Sequence, residues 1–162
     1  MNKGKIIRQA NWQLLLFGLF KIPLIGFVRP KIIELDSDRI VIRIKLKRRT
    51  KNHLNSLYFG AFAIGADLSG GFHAFWLSKT EKRKISLAFK SLKAEFLKRA
   101  EGDVYFVSHA GSTIKQMFDD SVKTGERQTK EIPITAYTGY PNNKEAVAEF
   151  SIGLSIKDKG EA

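Results

Sequence analysis

The strongest constraint on the fold of this chain is the stretch 52–71, NHLNSLYFGAFAIGADLSGG, a run of small and apolar residues long enough for a helix. It predicts a central helix over about 56–78, and it carries a single acid, Asp67, seven residues after Gly60. A lone carboxylate on an apolar helix has to be hydrogen-bonded, paired or put to chemical use, because burying it bare costs several kcal/mol. Asp67 is therefore the first candidate for a functional role.

The remainder of the chain supplies enough apolar matter to enclose such a helix. With 162 residues, 43% of them hydrophobic, and 12 Phe, the sequence suits one folded domain with a substantial core. It contains no Cys, which excludes disulfides, thiolate metal sites and a cysteine nucleophile and leaves a reducing cytoplasm as the default compartment. Lys and Arg number 28 against 16 acids, a net charge of +12, so the surface attracts polyanions such as nucleic acid, anionic headgroups or the phosphates of a nucleotide-like molecule. The basic residues are spread along the chain, with small clusters at 45–51 and 79–84, and a solvated basic surface ranks ahead of specific nucleic-acid binding.

Residues 14–28 are strongly apolar and follow Lys3, Lys5 and Arg8. Lys21 interrupts the run, Pro23 kinks it, no small-x-small cleavage site follows, and the length falls short of the roughly 20 residues a spanning helix needs. The segment reads as an amphipathic helix with a continuation. Trp12, Leu15, Leu16, Leu19 and Phe20 fall at helical spacing and are expected to cover an apolar edge of the domain. Peripheral membrane contact through this segment is the second reading.

Beyond Pro30 the hydrophobic period becomes two. Residues 31–36 read as a strand and Ser37 and Asp38 as a turn. Ile40, Ile42, Ile44 and Leu46 then alternate with Val41, Arg43, Lys45 and Lys47, the pattern of a strand with one buried and one wet, basic face. After the central helix, 85–97 has strand character with a phase slip that predicts a bulge near Lys90 and Ser91. Gly102 and Asp103 are expected to form a hairpin turn into a strand at 104–109. A short helix over 112–122, with Ile114, Met117 and Phe118 inward, and two strands at 127–138 and 145–157 around the turn 140–143 complete an antiparallel meander.

This order, together with the segments NHLNSLYFGAFAIGADLSGG and KSLKAEFLKRAEGDVYF, resembles the hotdog thioesterase superfamily over about residues 12–156. The second segment is similar to an uncharacterised thioesterase-like branch whose strand reads close to F-L-(K/R)-x-A-x-G-D. The resemblance implies an α+β fold: a single hotdog domain over 1–162, with a curved antiparallel sheet wrapped around a long central helix and an N-terminal helical segment. It also implies a homodimer, or a dimer of such dimers, with sheets joined edge to edge and two active sites between subunits. The substrate implied is an acyl-CoA or acyl-carrier thioester, with coenzyme A present only as part of the substrate and no separate cofactor or metal.

The resemblance places Asp67 where the family's catalytic carboxylate sits, as general base on a water or as nucleophile through a mixed anhydride. An apolar setting raises the pKa of such a group, and donors lower it. Many catalytic members carry His-Gly-Gly at the helix start, where this chain has Tyr58, Phe59 and Gly60. Free amides of Phe59 or Gly60 at the helix N-terminus are the candidate oxyanion donors, with Asn52, His53 or Asn55 as side-chain alternatives. Ser86 and Ser91 are candidates for orienting a water, and Lys98, Arg99 and Lys115 for holding the phosphates of coenzyme A. Asp67 as a mere hydrogen-bonding partner of Ser69, Ser56 or a strand, and a non-catalytic acyl-binding module, remain open beside catalysis. His73 reads as a core or interface histidine, and His109 as a residue at the end of a strand.

Overall fold

Each change of hydrophobic period in the sequence becomes a change of element. In the computed structural model, which describes residues 3–161, the order is α1 (Lys3–Phe20), α2 (Pro23–Val28), β1 (Lys31–Leu35), β2 (Ile40–Ile44), α3 (Phe59–Thr80), β3 (Arg83–Phe96), β4 (Val104–Ser108), α4 (Gly111–Thr124), β5 (Gln128–Thr138) and β6 (Glu145–Glu161). The strands form one antiparallel sheet in the order β1-β2-β4-β5-β6-β3. Apolar on every side, α3 has nowhere to go but inside. Its residues Ala61, Phe62, Ala66, Phe72 and Leu77 join Phe106, Ile132, Phe150 and Ile152 of the sheet in a single core cluster. This is the α+β hotdog arrangement of a curved sheet around a long helix.

Short elements end where their chemistry dictates. Pro23 opens α2, as a residue with fixed φ and no amide hydrogen suits a first helical turn. The amphipathic α4 buries Ile114, Met117 and Phe118 and stops at Gly125, whose φ of 68° only glycine adopts freely. The bulge expected on β3 is present: its register against β6 shifts between Phe89 and Ser91.

Three expectations are corrected. Gly102 and Asp103 do not join a hairpin, because β3 pairs with β6 while β4 lies between β2 and β5. Only β4, β5 and β6 form a meander. The long β3 instead crosses to the far edge, where the greater pairing length with β6 holds it. Second, β2 has no wet face over its central residues: Val41 is fully buried, Arg43 half-buried, and the exposed Lys45 and Lys47 lie beyond the strand end.

The third correction concerns α1. Trp12, Leu15, Leu19 and Phe20 are exposed, and the side that faces the protein carries Ala10, Leu14 and Gly18. Small residues win this face because they let backbones meet: a Cβ on Gly18 would stand 2.8 Å from the Gly26 nitrogen of α2. Asn11 completes the seat. Its Oδ1 accepts the Ile32 N–H (2.9 Å) and its Nδ2 donates to the Ile32 carbonyl (2.8 Å), so one side chain imitates a neighbouring strand at the free edge of β1.

Candidate active site

The local sequence sets Asp67 on the half-buried side of α3, toward the β3 edge of the sheet. Phe62, Ala66, Ser69 and His73 point into the core, and the positions between them, Ala63, Ile64, Asp67 and Gly71, are only half-buried. Across from this side lie β3 and the C-terminal half of α1. Two cavities result, of about 860 Å³ and about 510 Å³, and Asp67 and Phe89 line both. The larger runs between α1, α3 and β3, with Leu16, Phe17, Phe72 and Phe75 in its walls. The smaller is bounded by Gly60, Ile64, Ser91 and Leu92, with Lys90 at its rim. A carboxylate thus sits where two apolar spaces meet.

Burial pushes the Asp67 carboxyl up from its ordinary 3.8 to about 6, and no charge or hydrogen bond contributes to the shift. Among the described residues no hydrogen bond or ion pair reaches it. The partners considered for a purely structural Asp67 are engaged elsewhere. Ser69 Oγ donates to the Gly65 carbonyl (2.8 Å), and Ser56 Oγ donates to Asn52 Oδ1 (3.2 Å). A desolvated, unpartnered carboxylate is a stronger base than a solvated one and faces a space large enough for a reactant.

The start of α3 retains its donors. Tyr58 gives no side-chain cap, and its carbonyl accepts from Ala61 (2.9 Å) and Phe62 (3.2 Å), while the amides of Phe59 and Gly60 have no acceptor among the described residues. Seven residues separate Gly60 from Asp67, which is about 10 Å of helix rise on nearly the same face.

The other candidates are dispersed. Asn52 closes its own loop, accepting from the amides of Leu54 and Ser56 (2.9 and 3.2 Å). His53 is exposed, Asn55 accepts from Lys51 Nζ (2.7 Å), and none of the three lines either cavity. Ser86 accepts from Arg127 Nη2 (2.8 Å) and lies outside both cavities, whereas Ser91 lines the smaller one and donates to Glu131 (3.3 Å).

The three proposed phosphate holders do not come together. Lys98 pairs with Glu145, and the neighbouring Ala100 carbonyl accepts from Leu57 just before α3, so Lys98 and Arg99 stand at the start of that helix. Lys115 stands 3.8 Å from Glu81, which caps its end. The 22 residues of α3 put about 33 Å between these places.

His73 is a core residue, fully buried, with Nε2 donating to the Asp36 carbonyl at 3.0 Å. His109 is exposed and lies 3.5 Å from Asp38. Residues that reasoning from sequence passed over are Phe89, shared by both cavities, and Lys90. The bulge recognised at 90–91 was the available signal, since a register shift re-aims the side chains around it.

The fold has counterparts of recorded activity and counterparts without. A thioesterase from Haemophilus influenzae superposes with a TM-score of 0.64 at 13% identity, with 88% of each chain covered. A thioesterase family protein from Silicibacter pomeroyi gives 0.63 at 17% identity, covering 94% of this chain and 98% of its own. A protein of unknown function from Chlorobaculum tepidum TLS gives 0.79 at 14% identity, covering 93% and 96%. At such identities the likeness speaks for the fold alone. No curated protein matches the sequence. The family described as a domain of unknown function, DUF4442, matches residues 10–156, nearly the whole of the sheet, its central helix and the helices before it, and the chain belongs to that family.

Proposed function

We propose that this protein hydrolyses an acyl thioester, with Asp67 as the base that activates water. The observation that carries the reading is the carboxylate itself: unpartnered, raised to about 6 by burial, and open to two apolar cavities. In the step proposed, Asp67 takes a proton from water while the water oxygen bonds to the thioester carbonyl carbon. The carbonyl oxygen becomes an oxyanion facing amide donors. Collapse breaks the carbon–sulfur bond, and the departing thiolate recovers the proton from Asp67, leaving an acid and a thiol. The walls of the larger cavity, with Leu16, Phe17, Phe72 and Phe75, suit a fatty or aromatic acyl group on a coenzyme A or carrier-protein thiol.

With Asp67 acting through a water, the reacting carbon lies about 3 Å from that water and its oxygen about 3 Å from the amide donors, while Gly60 stands about 10 Å along the same helix from Asp67. The reading includes a homodimer, as the family resemblance implies. The outer edge of the 14-residue β3 is unpaired in the sheet and exposes Phe89, Leu92 and Phe96 beside the open side of α3. Pairing of two such edges lays one α3 beside another, so that amides at the helix start of one subunit meet Asp67 of the other. This reading is tested by thiol release from short, long and aromatic acyl-CoA substrates. Turnover that falls about a hundredfold or more in a folded Asp67→Ala dimer is expected, and equal turnover by both proteins removes Asp67 from the mechanism.

A second reading, an acyl-binding module without turnover, is favoured by one observation. With Asn52 turned into its own loop and His53 in solvent, neither side chain supplements the main-chain donors at the helix start. Tight acyl-CoA binding by the wild type with no thiol released from any substrate establishes that reading instead.

A further inference from the structure

We propose that the N-terminal helical unit, α1 with α2, docks the protein on an anionic lipid bilayer. The first observation is that α1 packs inside out. Its inward side is built of Ala10, Leu14 and Gly18, and its outward side carries Trp12 (60% exposed), Leu15 (46%) and Leu19 (58%). Leu24 (60%) and Phe27 (58%) extend the exposed apolar surface onto α2. Lone apolar residues on a surface are ordinary, whereas five large ones within sixteen positions, on two helices locked together at Gly18 and Gly26, form a surface with a use.

The second observation is charge. Lys3, Lys5, Arg8, Lys21 and Arg29, with Lys31 just beyond at the start of β1, precede the first acid of the chain, Glu34, so this unit supplies five positive charges and no negative one to a chain of net charge +12. Among the described residues none of Lys5, Arg8, Lys21 and Arg29 belongs to an ion pair, although eight other pairs form on the molecule. Lys3 and Lys5 even occupy the first turn of α1, at the end where the helix dipole disfavours cations, and that turn contains no acid. On the helical wheel Lys5 and Arg8 fall on the outward side with Trp12, Leu15 and Leu19. Large apolar side chains interleaved with unpaired cations, Trp among them, are what the boundary between phosphate headgroups and acyl chains accommodates. No helix among the described residues is long and apolar enough to cross a membrane, so the contact is with one leaflet.

The position of this unit gives the contact a purpose. Phe20, Lys21 and Ile22, at the junction of the two helices, line the larger cavity, so the docked face adjoins the passage to Asp67. An acyl chain leaving the bilayer at that junction enters the cavity without crossing water. This last point rests on the thioester reading, whereas the docking does not.

The test is flotation of the full-length protein with vesicles of phosphatidylcholine alone or mixed with phosphatidylglycerol, at low and high salt. A Trp76→Phe background leaves Trp12 as the sole indole. The expected result is binding that requires phosphatidylglycerol, weakens in salt and shifts Trp12 emission to the blue. Trp12→Ser/Leu19→Ser and Lys5→Glu/Arg8→Glu are each expected to lower vesicle affinity at least about tenfold, with thermal midpoint and sedimentation coefficient unchanged. Absence of binding, or binding indifferent to phosphatidylglycerol, overturns the proposal. So does a smaller assembly for Trp12→Ser/Leu19→Ser, which would mean that a second copy covers this face. Asp67→Asn protein that floats like wild type but releases no thiol separates docking from catalysis.

Discussion

Phe89 of β3 lies so close to Gly71 of α3 that a Cβ on Gly71 would stand 2.7 Å from the ring Cζ. The missing side chain lets the ring settle between the two cavities, of which it is a common wall. Because the ring is 43% exposed and held at its far end only by packing, it can be displaced at little cost. Gly71→Ala is expected to push it aside while gaining up to about 1 kcal/mol of helix propensity, so the protein should keep or slightly raise its thermal midpoint. Phe89→Ala should merge the two spaces and shift preference toward longer acyl chains. Acyl-CoA binding titrated by calorimetry over a series of chain lengths checks both. Identical length profiles in wild type and Phe89→Ala would remove the ring from substrate selection.

Asp67 is expected to cost the fold stability in the state that serves chemistry. Its folded pKa, about 6, exceeds the ordinary 3.8, so between these values the folded chain binds more protons than the unfolded one. Stability from this group is therefore full below about pH 4, declines as pH rises through 6, and stays reduced above, by on the order of 2–3 kcal/mol. Asp67→Asn should abolish that decline and be the more stable protein at neutral pH, as measured by denaturant midpoints across this range. Under the hydrolytic reading, turnover rises with pH through about 6 as the base ionises, opposite to stability, and is lost in Asp67→Asn. An activity profile flat from pH 5 to 7 would contradict the proposed role.

The elements were legible because their signals are local. Period two over 40–47, the apolar run that became α3 and the phase slip at Lys90 depend on neighbours in sequence, and each marks a strand, a helix or a bulge at that place, although β2 already ends at Ile44 and α3 begins at Phe59. Strand partnership was not legible. Gly102 and Asp103 have hairpin chemistry, but β3 finds a longer partner in β6 than β4 could offer, and that competition is settled by segments fifty residues apart. The orientation of α1 was obscured for a different reason. Both its sides are apolar, so periodicity ranked the larger residues as buried, while close backbone approach at Gly18 and the Asn11 bonds to Ile32 decided otherwise. At the site, Asp67 was conspicuous as the lone acid on an apolar helix, whereas Phe89 carries no chemical mark and matters only by position.

His73 opposes Asp67 in its response to acid. Burial holds its imidazole below the ordinary 6.5, against the pull of the Asp36 carbonyl and nearby carboxylates, and its Nδ1 is buried with no partner. The unfolded chain therefore takes up this proton first, so stability from His73 is present above about pH 6.5 and is lost as pH falls below it. His73→Gln retains a donor for the Asp36 carbonyl and removes the titration. In an Asp67→Asn background, which silences the opposing slope, unfolding midpoints of the His73→Gln protein should change less between pH 7.5 and pH 5 than those of the parent. Equal changes would assign the acid sensitivity to another group.

The crossing of Gly18 and Gly26 predicts that the wall of the larger cavity depends on two absent methyl groups. A Cβ on Gly18 would meet the nitrogen and Cα of Gly26 at 2.8 and 2.9 Å, and one on Gly26 would meet the Gly18 carbonyl oxygen at 2.6 Å. These neighbours are backbone and cannot turn away as the Phe89 ring can, so the helices themselves must part. Gly18→Ala is expected to destabilise the protein by about 1–3 kcal/mol despite alanine's better helix propensity, because overpacking outweighs it. Since Leu16, Phe17 and Phe20 ride on the same helix, the displaced α1 should also loosen acyl binding in protein that is still folded. Gln9→Ala, an exposed position on the same helix, serves as the propensity control. Paired chemical unfolding and acyl-CoA titration of the two variants decide the matter: a Gly18→Ala protein as stable as wild type, with unaltered binding, would show that the α1–α2 crossing does not shape the cavity.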